Sequence, residues 1–188
     1  MSNRSIVGSG GNRASDDFYP TPTSVTQSLC DQVSFNGSIW EPACGDGMMS
    51  NQLKKNDYRV YSSDLIDRGY DDGFSSVDFL AQRKPAQYGG NRIENIVTNP
   101  PYNLAQKFIE HSLDAVSEKA CFLLKLVFLE SAQRTSLFAR GQLETVYVFR
   151  KRIKLGRNGD GYSQGGMIAY AWFVWDVRYQ GDPQIKWI

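Results

Sequence analysis

The sequence predicts an α/β fold, a doubly wound and mostly parallel sheet that ends in an antiparallel β-hairpin strand. Two observations carry this reading. Short apolar runs alternate with helical patterns through most of the chain, and such strand–helix–strand units build parallel sheets with right-handed crossovers. The final third changes character, with two strand-like runs on either side of a Gly-rich stretch, which predicts a hairpin closing the sheet.

The elements follow in order. Residues 1–17, MSNRSIVGSGGNRASDD, are polar and Gly/Ser-rich and read as a flexible leader; residues 18–188 read as one domain. FYPTPTSVTQSLCDQV gives a Pro-bounded turn and then a helix with Val25, Leu29 and Val33 on one face. SIWEPACGDG is a buried strand running into a Gly turn, and MMSNQLKKN continues as a helix. YRVYSSD is a second strand ending on an acid, SSVDFL a short third and RIENIVTN a fourth. LAQKFIEHSLDAV is a helix and KACFLLKLVF a fifth strand. LETVYVFRKRIKL and MIAYAWFVWDV then form the hairpin around GRNGDGYSQGG. The aromatics of the last run alternate as a strand's do and read as core; His111, in a helix with Leu104 and Phe108, reads as structural.

Composition narrows the function. With 188 residues and 41% apolar content the chain can bury one sizeable core. Its 21 Lys and Arg nearly balance 20 Asp and Glu, so any nucleic-acid contact must come from a local basic patch rather than a global field. Three scattered cysteines and one histidine argue against a disulfide framework and a zinc site, and suit a reducing cytoplasm. No metal is expected. No apolar run approaches the roughly 18 residues that cross a bilayer.

Two turns concentrate the chemistry. In WEPACGDG, Gly45-x-Gly47 stands at a strand end, where missing side chains let backbone approach a ligand and the next helix presents free N–H groups. Asp64 ends the next strand, at the distance where an acid accepts bonds from ribose hydroxyls. A dinucleotide and an S-adenosyl cofactor would both use that pair. Against the dinucleotide, position 50 is Ser rather than the third glycine, and Glu41 before the turn would repel a pyrophosphate; it suits a cationic amino-acid moiety instead. In the second turn, Asn99-Pro100-Pro101-Tyr102, two prolines remove two donors and hold the backbone stiff and extended.

These motifs together resemble the class I S-adenosylmethionine-dependent methyltransferases, and within them the amino-methylating DNA enzymes. The resemblance rests on Glu41-Pro42-Ala43-Cys44-Gly45-Asp46-Gly47, followed by the NPPY turn at Asn99–Tyr102, with YPTP at Tyr19–Pro22 similar to the cofactor segment of phage-type adenine methyltransferases. It spans residues 18 to about 155. It implies a Rossmann-like methyltransferase sheet, S-adenosyl-L-methionine as cofactor, and transfer of its methyl group to the N6 amine of adenine in DNA. Tyr19, Pro20, Thr21, Glu41, Ala43, Cys44, Gly45, Gly47, Asp64, Leu65, Asp78, Phe79 and Asn99 are then the expected cofactor-binding residues, and Asn99, Pro100, Pro101 and Tyr102 the catalytic ones.

The chemistry of the turn stands beside the resemblance. An exocyclic amine conjugated to a purine attacks a sulfonium methyl poorly. Acceptors at its two N–H bonds, the Asn99 side-chain oxygen and the Pro100 carbonyl, favour a pyramidal nitrogen and stabilise its developing charge. Tyr102 would stack on the base and orient it. N4-cytosine, protein glutamine-N5 and RNA guanine-N2 present the same kind of nitrogen and remain rivals, as does a cofactor-binding nucleic-acid module without turnover. A base inside a duplex must be flipped out to reach the turn, or be offered on a single strand. Arg150, Lys151, Arg152, Lys154 and Arg157 read either as a phosphate-binding patch or as a solvated hairpin edge. Leu155 stands where the family commonly has an aromatic residue against the flipped base. No separate target-recognition domain fits between or after the motifs, so recognition is expected from loops, a homodimer or an accessory partner, or is lax. The enzyme is expected in the cytoplasm, of a host cell if phage-encoded.

Overall fold

The computed structural model describes residues 18–81, 93–155 and 168–188; the leader and the whole Gly-rich stretch, Arg157 included, lie outside them. Four short strands run parallel, β1 (Ser38–Glu41), β2 (Arg59–Ser62), β3 (Asn95–Thr98) and β4 (Lys119–Lys125). Three more follow, β5 (Leu143–Val148), β6 (Tyr170–Asp176) and β7 (Gln184–Trp187), and the seven make one sheet in the order β2-β1-β3-β4-β6-β5-β7. Strand β6 is antiparallel to both β4 and β5, so the predicted hairpin is present and its second strand inserts between β4 and β5.

Both faces of the sheet are covered, and the strand period of two decides which side chain goes where. Trp40, Ile96, Phe122 and Phe173 pack on one face beneath α3 (Ala105–Ala115), through its residues Ala105, Phe108, Ile109 and Leu113. Ile39, Val97, Leu123 and Trp172 pack on the other beneath α1 (Thr23–Cys30) and α2 (Met48–Lys55), through Val25, Leu29, Met49 and Leu53. The Trp172 indole N–H donates to the Val25 carbonyl at 3.0 Å and ties α1 to the centre of the sheet. A single helical turn, α4 (Thr135–Phe138), precedes β5.

Four segments depart from the sequence reading. SSVDFL is not a strand: Phe74, the residue before it, makes one isolated bridge to Ser63, and Phe79–Ala81 is a 3-10 turn. The Asp78 carboxylate accepts the Leu80 N–H at 3.0 Å and bends the chain there, while Phe79 is drawn into the core against Trp40, Phe108 and His111. The fifth and sixth predicted strands are shorter than their apolar runs, because β4 passes into a 3-10 turn at Leu126–Leu129 and β5 ends at Val148, before the exposed Arg150, Lys151 and Arg152. Strand β7 was not expected. It pairs parallel to β5, Val146 opposite Ile185 and Val148 opposite Trp187, and forms an edge on which all four residues are exposed.

Candidate active site

Strands β1 and β3 are adjacent and parallel, yet the chain leaves them in opposite directions, from β1 through α2 to β2 and from β3 through α3 to β4. Such a switch opens a crevice at the strand carboxyl ends. Here it holds an open cleft, lined from both sides of the switch by the turn after β1 and the turn after β3.

Residues expected from the sequence converge on it from five separate segments. Tyr19, Pro20 and Thr21 come from the stretch before α1; Glu41, Ala43 and Cys44 from the turn after β1; Asp64 and Leu65 from the end of β2. Asp78 and Phe79 form the 3-10 turn, and Asn99 and Pro101 follow β3. Gly45 and Gly47 shape the wall rather than line it. Both have left-handed backbone, φ +57° and +79°, and a Cβ on either would lie 2.2 Å from an aromatic ring, Phe18 at Gly45 and Tyr70 at Gly47. Only glycine lets those rings close on the turn. Pro100 and Tyr102 do not line the cleft.

The cleft is acidic. Glu41 is 2% exposed, accepts a hydrogen bond from the Ser50 hydroxyl, and is backed by the Ser50–Ser62 hydroxyl pair at 2.6 Å. Burial holds its carboxyl well above the usual carboxylate range, against the Ser50 bond, and the charges of Asp64 and Asp46 push the same way as burial. Burial, then Glu41 and Asp64, push the Cys44 thiol up to about 12, so it stays a thiol rather than a nucleophilic thiolate. The Asp64 carboxylate accepts the Gly45 N–H and the Ile66 N–H, each at 2.9 Å. Each oxygen keeps a lone pair for a ligand, and Asp64 also clamps the glycine turn.

Asn99 is held from one side. Its Nδ2 donates to the Tyr19 carbonyl at 3.2 Å and to Thr21 Oγ1 at 3.1 Å, while Oδ1 is buried without a hydrogen-bond partner among the described residues. Tyr102 sits in an aromatic cluster instead, its ring 6.4 Å from Tyr19 and 6.1 Å from Tyr170, with the Lys125 ammonium 4.4 Å above the ring centre. Phe18 and Arg68, stacked with the guanidinium 4.1 Å from the ring centre, also line the cleft. Neither they nor Lys125 carried a signal in the sequence, since no motif includes them.

Because β5 and β4 are both antiparallel to β6, β5 runs parallel to β4, and Arg150, Lys151, Arg152 and Lys154 leave the same sheet edge as the Asn99 turn. All four are exposed. Leu155 packs on the α1 side of the core.

The fold defined by this sheet is the Rossmann-like α/β fold of methyltransferases. Among solved structures it is similar to magnesium protoporphyrin IX methyltransferase from Synechocystis with bound SAH (13% identity, 81% of this chain and 80% of that one, TM-score 0.54). It is also similar to a dimethyladenosine transferase from Plasmodium falciparum (12% identity, 85% and 63%, TM-score 0.57) and to a protein named as a hemolysin from Lactococcus lactis (11% identity, 87% and 91%, TM-score 0.61). At these identities the likeness is one of fold, and a fold hosts many activities. No family model and no curated protein matches the sequence. Among the described residues no helix is long and apolar enough to cross a membrane.

Proposed function

We propose that the protein transfers a methyl group from S-adenosyl-L-methionine to the N6 amine of adenine in DNA. The observation that carries the reading is Asn99: both its amide hydrogens are engaged, and its buried oxygen is left as an acceptor beside an acidic cleft. A buried acceptor without a donor is costly, and a ligand N–H would satisfy it. The residues fit the cofactor: Asp46, Asp64 and Asp78 line the cleft with Glu41 and favour a ligand carrying positive charge.

When bound, S-adenosylmethionine supplies an electrophilic sulfonium methyl. Glu41 would hold the cofactor's ammonium and Asp64 its ribose hydroxyls. Asn99 Oδ1 and the Pro100 carbonyl would accept the target amine's N–H bonds, localise its lone pair and stabilise the charge that develops on nitrogen, whose surplus proton is then released to solvent. Tyr102 offers a ring face to the base once Lys125 gives way, and the basic segment after β5 holds phosphates. On this reading the enzyme acts in the cytoplasm, and target choice comes from loops, a second copy or an accessory partner.

The test is incubation with methyl-labelled cofactor and, separately, DNA, RNA and release-factor protein, with single-molecule sequencing of the DNA. Label at adenine N6 is expected, and Asn99→Ala should lower turnover by about 10² to 10³ at saturating DNA with cofactor affinity unchanged. Label in cytosine, RNA or protein alone would refute the adenine assignment.

A further inference from the structure

We propose that Thr21, together with the Tyr19 carbonyl, is a positioning group that locks the Asn99 side-chain amide with its oxygen free for the target amine; the inference rests on the amine-methylation reading. The orientation of an amide follows from its partners. A backbone carbonyl has lone pairs and no proton, so only the NH₂ end of Asn99 can face the Tyr19 carbonyl, 3.2 Å away. Thr21 Oγ1, at 3.1 Å, takes the second amide hydrogen. With both hydrogens committed on one side, Oδ1 is the end left over, and it is the atom without a partner.

The lock matters because the two ends of the amide are nearly the same size and opposite in sign. Turned over about its last side-chain bond, Asn99 would present N–H groups to an amine that must itself donate and that becomes positive as it reacts. Such a rotamer repels the charge that the correct one stabilises. The NPPY backbone places the Asn99 side chain but does not select between the two rotamers, since neither proline has a hydrogen to give. Selection comes from a segment 78 to 80 residues earlier in the chain. Thr21 suits this role because it is 5% exposed, so water does not replace it, and because its β-branched side chain has few rotamers. The same segment lines the cofactor cleft through Tyr19, Pro20 and Thr21.

The experiment compares Thr21→Val, which keeps the shape and loses the acceptor, with Thr21→Ser, which keeps the hydroxyl, in the full chain. Thr21→Val should lower turnover at saturating DNA about tenfold, the scale of one lost hydrogen bond, while the cofactor dissociation constant stays within about twofold. Thr21→Ser should recover most of the turnover. In an Asn99→Ala background Thr21→Val should have no further effect, because the group it positions is gone. A weaker cofactor affinity with turnover unchanged, or an effect that adds to Asn99→Ala, overturns the inference and makes Thr21 a cofactor contact. If the wild-type protein labels no acceptor, the methyltransferase reading fails and the lock is decided by ¹⁵N NMR. The side-chain NH₂ signals absent from the Asn99→Ala spectrum should exchange faster with solvent in Thr21→Val, and equal exchange in both proteins would overturn the lock.

Discussion

Glu41→Gln should make the protein more stable and a worse binder at once. Glu41 is almost fully buried, and the donors to it are the Ser50 hydroxyl and backbone N–H rather than a cation. Its carboxyl is raised above the unfolded value by burial, so between the two values the folded chain holds a proton that the unfolded chain releases. Stability therefore falls as pH rises through that window. Gln has nearly the same shape and no charge to bury, so it avoids the desolvation cost that raises the Glu41 carboxyl. For a chain of this size each kcal/mol raises the melting temperature by about 2–4 °C. The variant should melt above wild type at pH 8, with the gap closing toward pH 5. The cofactor's ammonium loses a charge-assisted hydrogen bond of about 1.5–3 kcal/mol, a roughly 10- to 150-fold weaker dissociation constant by calorimetry. An unchanged melting temperature at pH 8, or an unchanged dissociation constant, would refute this account of Glu41.

Gly45→Ala should cost about 1–2 kcal/mol in urea unfolding, from the left-handed backbone and from displacing the Phe18 ring; Phe18→Ala added to it should recover part of the loss, and additive costs would speak against the contact. Burial raises the Asp176 carboxyl, but hydrogen bonds from Lys119 at 2.7 Å and from the Arg178 N–H at 2.8 Å outweigh it and leave the group below its ordinary value. The stability it contributes is present above about pH 4 and is lost as pH falls through the folded value. Asp176→Asn should thus cost about 1–2 kcal/mol at pH 7 and flatten the acid arm of urea midpoints between pH 7 and 3, and an unaltered arm would contradict the pairing. Arg152→Ala and Lys154→Ala should each reduce the slope of log affinity for duplex DNA against log salt by about 0.9, and an unchanged slope removes the segment from phosphate contact.

What the sequence made legible is what local pattern controls. Short apolar runs marked β1, β3, β4 and β6, whose residues the structure buries on alternating faces, and the positions around Gly45 and Asn99 did mark one cleft. Strand β7 escaped notice because an exposed edge strand carrying Gln184 and Lys186 has no buried face to impose alternation. SSVDFL misled because its aromatic residue is buried by a turn rather than by a strand. The bond from Asn99 to Thr21, the Phe18 ring over Gly45 and the Lys125 ammonium over Tyr102 join residues far apart in the chain. Local periodicity carries no record of such contacts.

The sheet's free edge also comes with its own fluorophore. The chain has four tryptophans, and three of them, Trp40, Trp172 and Trp175, are sealed in the core, whereas Trp187 on β7 is 59% exposed beside Ile185 at 53%. Red-shifted emission and collisional quenching by a solute that cannot enter the core therefore report on Trp187 alone. Anything that covers the edge, whether a second copy of the chain or another protein, would turn that emission blue and shield it from quencher. The edge can thus be watched in solution without a label and without altering a residue.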